Sequence, residues 1–340
     1  MVKDYILSII ITVYNNEKYI EECLLPVLNQ MKENHELIIV NDGSNDNSLN
    51  ICEELTYGKN NVKIITQKNE GISSARNAGI NNSRGKFIAF IDGDDWIEAD
   101  SFRSLEKEFI KNPDLILLNT TKFFENSNRF ILEKYSFEKM TANRDKNLKL
   151  LIDNKIYGRA WRFIISRKLL IRDNLFFHNG LIFEDEEWGI KAILSCRNIV
   201  YHNYTYYFYR KDISSITSKK DYDKYMQLLE IVKSTYSWCK NKKLNSMEQK
   251  YYRNALFRCI RNSFGNSYKF SESQKKKLLM WESSNEKCIR DILKVNWIIY
   301  KLSFFFSISK IMVIYKKYSK MKKFNRIKIK YIESKNKKSN

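Results

Sequence analysis

The residues best suited to chemistry are three carboxylates within four positions, Asp92, Asp94 and Asp95, directly after an apolar run. Ionised side chains this close repel one another, and a divalent cation relieves the repulsion. Mg²⁺ and Mn²⁺ favour oxygen ligands, and Mg²⁺ commonly takes one or two carboxylates together with substrate phosphates. The cluster therefore predicts a site for Mn²⁺ or Mg²⁺ that holds a nucleotide diphosphate. The alternative is an acidic turn that caps the following helix.

A second candidate feature is the segment Asn69–Gly79, which is rich in small residues. Small residues let the backbone approach a ligand closely, and the start of a helix favours bound anions. Arg76, inside this segment, can reach a phosphate or an acidic side chain. The alternative is a tight loop in which Arg76 only pairs with a structural carboxylate.

Two further features are the four successive acids Glu184–Glu187 and Arg210 at the end of an aromatic run. Four adjacent side chains cannot all face one side of a helix or strand, so at least one of these acids can point inward. The other interpretation is a solvated acidic helix start. Arg210 can neutralise diphosphate charge, or it is a surface arginine beside a strand.

Short apolar runs alternate with helical patterns in the first part of the chain. The predicted strands are Ser8–Val13, Leu37–Val40, Val62–Thr66 and Lys86–Ile91. This alternation predicts an α/β fold with a mostly parallel sheet and helices on both faces. Ligands of such sheets lie at the carboxyl ends of the strands, and the polar motifs follow those ends.

Four ordered segments carry a resemblance to a known family. They are Ser8–Asn15, Val40–Ser44, Asn69–Gly79 and Phe90–Trp96. Together, at matching spacing, they resemble the family 2 glycosyltransferases of the GT-A fold. The resemblance covers roughly residues 5–220. It implies a Rossmann-like domain that binds a nucleotide sugar, with a uridine nucleotide favoured.

The resemblance assigns roles in the nucleotide pocket. It implies that Asp42 contacts the base and that Thr12 and Tyr14 line the base pocket. Asn69 and Arg76 occupy positions that help to hold the nucleotide. Many members of the family have proline where this chain has Thr12, a departure that bears on the shape of the base pocket.

The resemblance also assigns roles to the acids. Asp92 and Asp94 would hold the nucleotide sugar, and Asp94 with Asp95 would hold the metal. The run beginning at Glu184 resembles the family's Glu-Asp motif, in which the aspartate deprotonates the acceptor hydroxyl. Asp185 is then the general base, and Glu184 is a supporting or acceptor-binding residue.

The charge of the chain is concentrated in its last third. The formal net charge is +21, and residues 221–340 carry 29 Lys and Arg against 9 Asp and Glu. We predict a catalytic domain over 1–220 and a helical, basic region over 221–340. Such an excess of positive charge suits a polyanion, either nucleic acid or an anionic membrane surface. Residues 296–330 predict an amphipathic helix lying on a membrane, or else a helix packed on the catalytic domain.

Cysteine usage and the N-terminus bear on location. The six cysteines are scattered and form no C-x-x-C pair, which argues against a disulfide framework and against a zinc site. The apolar N-terminus lacks a small-residue cleavage site, so we interpret it as a buried strand rather than a signal peptide. The expected location is the bacterial cytoplasm, peripheral at the inner face of the membrane, with no nucleic-acid partner.

These features lead to one expectation and three alternatives. We expect an inverting hexosyl- or N-acetylhexosaminyltransferase that moves a sugar from a UDP-sugar to a hydroxyl of a cell-surface polysaccharide, such as capsule, or of a lipid-linked oligosaccharide. A sugar nucleotidyltransferase shares the fold type, but Tyr14–Glu17 does not look like its Gly-rich, basic loop. A nucleic-acid-binding protein would leave the acidic cluster unexplained. A degenerate, non-catalytic member would not need Asp94, Asp95 and Asp185.

Overall fold

The fold is given by a computed structural model, which describes residues 4–133, 135–211, 222–303 and 307–315. The chain divides into two compact units, Met1–Lys219 and Lys220–Asn340. The first contains a nine-stranded sheet with helices, and the second is helical over its described residues.

The sheet of the first unit begins with four parallel strands. They are β1 (Leu7–Val13), β2 (His35–Asn41), β3 (Val62–Thr66) and β4 (Phe87–Asp92). All residues of β1 and β2 are buried, as expected for parallel strands covered on both faces. The sequence prediction of these four strands is therefore confirmed, with ends that differ by one or two residues.

The other half of the sheet is mixed rather than parallel. Its strands are β5 (Trp96–Ile97), β6 (Leu115–Phe124), β7 (Arg129–Leu132), β8 (Phe163–Ser166) and β9 (Ile199–Arg210). The strand order is β3-β2-β1-β4-β8-β6-β9-β5, with β7 beside β6. Strand β8 is antiparallel to both β4 and β6, whereas β6 and β9 are parallel.

Over the residues described, seven α-helices connect or follow the strands of the first unit. They are α1 (Ile20–Gln30), α2 (Ser48–Thr56), α3 (Ile72–Asn82), α4 (Ser101–Ile110), α5 (Arg144–Asp153), α6 (Arg167–Arg172) and α7 (Glu184–Ser195). A turn precedes helix α1, in which the carbonyl of Asn16 accepts the N–H groups of Tyr19 and Ile20.

Helices cover β1 on both faces. Ile9 and Ile11 belong to a core cluster with Leu24 of α1. Ile10, between them, points to the other face, where its side chain lies against Gly79 of α3. Because side chains alternate along a strand, this pattern places α1 and α3 on opposite sides of the sheet. The predicted α/β architecture with helices on both faces is confirmed here.

In its described residues the second unit contains five helices that we number, and residues 308–315 are helical as well. The numbered helices are α8 (Tyr222–Lys240), α9 (Ser246–Phe264), α10 (Glu272–Ser284), α11 (Glu286–Leu293) and α12 (Trp297–Leu302). Two of them start with a capping box, in which Asn245 pairs with Glu248 and Ser271 pairs with Gln274. Each box satisfies N–H groups that the first helical turn leaves without partners.

The predicted amphipathic helix over 296–330 needs correction. Helix α12 ends at Leu302, and residues 304–306 and 316–330 lie outside the described residues. In the described part, Ile311 and Met312 are buried, and the N–H of Ile308 donates to Glu282 of α10 at 2.7 Å. Part of the apolar face is therefore buried within the second unit, whereas Ile298, Leu302 and Ile314 are exposed, so its contact with a membrane stays a prediction. Over the residues described, no helix combines the length and apolarity needed to cross a membrane.

Candidate active site

The predicted nucleotide residues follow the carboxyl ends of neighbouring parallel strands. In the sheet register, Thr12 on β1 lies opposite Asp92 on β4. Backbone bonds continue the pairing past the strand ends: the N–H of Gly93 donates to Thr12 at 3.0 Å, and the N–H of Asp42 donates to Val13 at 2.8 Å. The sheet thus brings the motifs after β1, β2 and β4 to one edge.

Asp42 is buried, and both of its oxygens hold the loop after β3. Oδ1 accepts from the side-chain amide of Gln67 at 2.7 Å and from the N–H of Glu70 at 3.0 Å. Oδ2 accepts from the N–H of Gly71 at 2.8 Å, and this residue has a φ of 89°, which favours glycine. Asp42 therefore fixes the loop that leads into α3, and its contact with a base stays a prediction.

The other residues of the predicted base pocket differ in exposure. Thr12 is buried, Tyr14 is 42% exposed, and Asn69 is exposed in the loop after β3. The loops after β1 and β2 are joined, because the N–H of Asn15 donates to Oγ of Ser44 at 3.1 Å. An exposed aromatic ring beside a buried floor is a surface on which a flat base can stack.

Arg76 on α3 joins two acidic motifs that are distant in sequence. Its guanidinium donates to Asp92 at 2.7 Å and to Glu184 at 2.6 Å, and its side chain is 3% exposed. Burial alone would lower the pKa of Arg76, but the charges of Asp92 and Glu184 outweigh it and raise that pKa. Arg76 is thus a permanent buried cation between two carboxylates, and its predicted contact with the nucleotide stays a prediction.

Within the acidic cluster, Asp94 and Asp95 occupy different environments. Asp95 is buried; its Oδ2 accepts from the hydroxyl of Tyr207 at 2.6 Å and its Oδ1 from the N–H of Arg210 at 2.7 Å. Burial, together with the charges of Asp94 and Asp92, raises the pKa of Asp95. Asp94 is partly exposed. Of the predicted metal pair, only Asp94 lies at the surface of the site.

Arg210 follows the aromatic run on β9 and faces the acidic cluster. Its Nε donates to the backbone carbonyl of Asp94 at 2.9 Å, and its guanidinium pairs with Glu22 of α1. The rings of Tyr19 and Trp96 lie 4.5 and 4.8 Å from its Cζ atom. These contacts make Arg210 a support for the turn after β4, and its predicted contact with a diphosphate stays a prediction.

The start of α7 places Glu184 and Asp185 side by side with different roles. Glu184 is buried against Arg76, whereas Asp185 is half-buried. Burial raises the pKa of Asp185, and so does the charge of Glu186, while Arg159 and Arg76 oppose the increase. Burial likewise raises the pKa of Glu184 against the opposing charge of Arg76. A carboxyl group with a raised pKa is a stronger base once it is deprotonated, which suits Asp185 for proton abstraction.

The donor set fits one type of metal site. Both oxygens of Asp95 are occupied by hydrogen bonds, and among the described residues no group of three or more His, Cys, Asp or Glu side chains could hold an ion. A closed site built by protein ligands alone therefore does not fit. A hydrated Mg²⁺ or Mn²⁺ that takes Asp94 and substrate phosphates does fit, because such ions commonly use one or two carboxylates.

Several residues of the site were missed in the sequence. Gln67 anchors to Asp42, Glu22 pairs with Arg210, and Tyr207 donates to Asp95. Tyr207 also accepts from the N–H of Asp92 at 3.2 Å, across 115 positions of the chain. The aromatic run around Tyr207 was a signal, but its pairing across the sheet depends on the antiparallel contact of β5 with β9.

Comparison with known proteins gives a consistent result. The model of the family described as glycosyl transferase family 2 matches residues 8–171. EpsH of Bacillus subtilis (strain 168) is 34% identical over 215 residues, which cover 62% of this chain and 62% of EpsH. The glycosyltransferase GlyG of Streptococcus pneumoniae serotype 4 is 30% identical over 221 residues, which cover 62% of this chain and 72% of GlyG. The match to EpsH thus spans less than two thirds of that relative.

A solved structure shares the fold. The crystal structure of S. aureus TarS 1–349 in complex with UDP-GlcNAc superposes with a TM-score of 0.72 at 19% identity, covering 93% of this chain and 92% of that one. The likeness confirms a GT-A fold followed by a helical region. With the family model, the relatives and the shared fold in agreement, the chain belongs to glycosyl transferase family 2.

Proposed function

We propose that this protein transfers a sugar from a nucleotide sugar to a hydroxyl group of a saccharide acceptor, with inversion at the anomeric carbon. The observation that carries the proposal is the position of Arg76 between Asp92 and Glu184. One buried cation thereby holds the acidic cluster of the donor end against the acidic start of α7, where Asp185 lies. This link supports a donor subsite and a base at one edge of the sheet, as a single displacement requires.

The relatives support a uridine nucleotide as the donor. The TarS structure with the same fold holds UDP-GlcNAc, and GlyG is named a glycosyltransferase. We propose a UDP-sugar of the hexose or N-acetylhexosamine type, whose base stacks near Tyr14 and Thr12. Asn69 and Asp42 would approach the nucleotide from the loops after β3 and β2.

In the proposed mechanism, Asp185 accepts the proton of the acceptor hydroxyl while that oxygen bonds to the anomeric carbon. The bond from this carbon to the diphosphate oxygen breaks in the same step, and the nucleoside diphosphate leaves with the bonding electrons. Glu184 remains paired with Arg76 and fixes the start of α7. A divalent cation held by Asp94 would stabilise charge on the leaving diphosphate. No covalent intermediate on the protein is needed.

The acceptor and the location follow from the charge of the second unit. We propose a cell-surface polysaccharide or a lipid-linked oligosaccharide as the acceptor, handled at the cytoplasmic face of a bacterial membrane. Residues 221–340 carry 29 Lys and Arg against 9 Asp and Glu, which suits anionic lipid headgroups. The contribution of residues 296–330 to membrane binding would come from their charge more than from the buried side chains of Ile311 and Met312.

The test is calorimetric titration of the full chain with UDP, GDP and TDP, each with and without Mn²⁺. We expect one of the three to bind only with the metal, and to lose at least about tenfold in affinity in the Asp94→Ala variant. Product analysis with sugars on that nucleotide then follows. If none of the diphosphates bound under either condition, the donor site would be refuted and the proposed activity with it.

A further inference from the structure

Arg159 lies in an unusual backbone conformation beside the site. It has a φ of 98° and a ψ of 104°, a region that non-glycine residues seldom adopt. Such a conformation costs free energy, so it persists only where the surrounding structure holds it, and it is commonly found at functional sites. A glycine would adopt this φ more readily than the arginine that stands here.

The guanidinium of Arg159 is supported by aromatic rings and not by acids. Its Cζ atom lies 5.6 Å from the ring of Trp161 and 5.9 Å from the ring of Tyr209. These two rings are stacked on each other at 5.2 Å. Among the described residues, no side chain or backbone group accepts a hydrogen bond from this guanidinium or forms an ion pair with it. A half-buried cation is therefore held in place with its donors available.

A second cation flanks the same ring. The ammonium group of Lys211, directly after β9, lies 5.9 Å from the ring of Tyr209 and forms no ion pair within the described part of the chain. Burial lowers the pKa of Lys211, and so do the charges of Arg159 and Lys122. Arg159 and Lys211 are thus two cations that no ion pair neutralises within the described residues, and a bound anion would relieve their repulsion.

Arg159, the first of these cations, lies next to the proposed base. Gly158 packs so closely on α7 that a Cβ atom there would come within 2.7 Å of the carbonyl oxygen of Asp185. The charge of Arg159 also opposes the increase in the pKa of Asp185, which places the two side chains within electrostatic reach. Arg159 thus borders the position at which the acceptor hydroxyl would be activated, and Lys211 lies against Tyr209, one of the rings that support Arg159.

We propose that Arg159 and Lys211 form a binding site for an oxyanion of a bound substrate, a phosphate or a carboxylate, beside Asp185. The inference rests on the proposed function for the identity of the substrate, but the binding of the oxyanion does not depend on sugar transfer. Two sources have the same chemistry: an anionic group of the acceptor, and the diphosphate of the donor. The contact of Gly158 with Asp185 favours the acceptor, since it is the acceptor that meets the base.

The test measures anion binding directly. Inorganic phosphate is titrated into the full chain saturated with UDP and Mn²⁺, and UDP and uridine are titrated separately into the free protein. The variants are Arg159→Met and Lys211→Met, which keep an unbranched chain on the rings. The matched control is Arg197→Met, because Arg197 is exposed and precedes β9, at the opposite end of that strand from Lys211.

Each arm has a defined outcome. For an acceptor oxyanion, phosphate binds the UDP-saturated wild type, and each variant binds it about tenfold more weakly while its affinity for UDP is unchanged. For the donor diphosphate, the variants lose about tenfold in affinity for UDP but not for uridine. If the wild type bound no phosphate and Arg159→Met left UDP binding unchanged, the oxyanion site would be refuted. Failure of every nucleotide to bind the wild type would instead count against the proposed function.

Discussion

Arg76 and Glu184 are 108 positions apart in the chain, and their side chains meet at 2.6 Å with less than a tenth of either exposed. This pair, extended to Asp92, links the donor end of the sheet to α7. Removing one partner of a buried ion pair leaves an uncompensated charge, which costs much more than the pair contributes.

The first prediction concerns that link. Arg76→Met leaves Asp92 and Glu184 facing each other without a cation, and we expect it to lower the free energy of unfolding by about 3–5 kcal/mol. The double variant Arg76→Met/Glu184→Gln should recover part of this loss, as measured by urea unfolding. The matched control is Lys149→Met, whose pair with Asp153 is exposed on both sides and should contribute about 1 kcal/mol or less. Equal losses in the two single variants would contradict the prediction.

The second prediction concerns the base. Asp185→Asn should lower turnover by about 10²- to 10⁴-fold, because the acceptor proton loses its acceptor group. Affinity for the nucleotide should not change, since the substitution leaves the ion pairs of Arg76 with Asp92 and Glu184 in place. The neighbouring variant Glu186→Gln is the control and should retain most of the turnover. Unaltered turnover in Asp185→Asn would remove this residue from the mechanism.

The third prediction follows from the pH dependence of the same group. Burial and Glu186 raise the pKa of Asp185, and a general base works only when it is deprotonated. Turnover should therefore fall as the pH decreases through this raised pKa, at a higher pH than an ordinary aspartate would give. In Asp185→Asn the residual turnover should lose this acidic limb. A wild-type profile that stays flat down to the ordinary range of aspartate would be the contrary result.

The fourth prediction separates the two neighbouring aspartates after β4. Asp94→Ala should abolish the effect of Mn²⁺ on nucleotide affinity and leave the unfolding midpoint nearly unchanged. Asp95→Asn should instead preserve the effect of Mn²⁺ on nucleotide affinity and lower the free energy of unfolding by about 1–3 kcal/mol. The reason is that the carboxylate oxygens of Asp95 accept hydrogen bonds from Tyr207 and Arg210 inside the fold. Titration with and without metal, combined with thermal unfolding of both variants, checks the distinction. If both variants changed the metal effect and the unfolding midpoint in the same way, the two aspartates would act together and the prediction would be wrong.

The fifth prediction concerns two histidines that are buried as neutral rings. Burial lowers the pKa of His35 and of His202 to about 4, below the ordinary value near 6.5. The unfolded chain therefore binds protons on these rings between pH 6.5 and 4 while the folded chain does not. Stability should fall as the pH drops through this window, by on the order of 2 kcal/mol for each ring. Urea unfolding at pH 6.5 and at pH 4.5 measures this loss of stability. In His35→Gln and in His202→Gln, the free energy of unfolding should differ less between the two pH values than it does in the wild type. A difference equal to that of the wild type would refute the assignment.

The sequence predicted the first half of the sheet well, because its signals are local. The β-branched run in β1 and the acids directly after β4 are signals that lie within the segments they predict. The parallel order follows from the alternation of strands with helices. Strand β8 was not predicted, because a strand of four residues, Phe163–Ser166, carries too little periodicity to be distinguished from a short buried helix.

The site was predicted less completely, for a different reason. Residue types identified Asp92, Asp94 and Asp95 as a group, but not the separation of their roles. That separation depends on Tyr207, whose hydroxyl reaches Asp95 only after β5 pairs with β9. A contact across 112 positions leaves no local pattern in a single sequence.

The backbone contact between the segment around Gly158 and helix α7 has a consequence for protein engineering. A Cβ atom on Gly189 would come within 2.5 Å of the Cα atom of Gly158, and one on Gly158 would press on Asp185. The smallest possible library change, glycine to alanine at either position, would therefore press on the main chain where this segment meets α7, beside the proposed base Asp185. Libraries should hold Gly158 and Gly189 constant and vary the exposed side chain of Lys211.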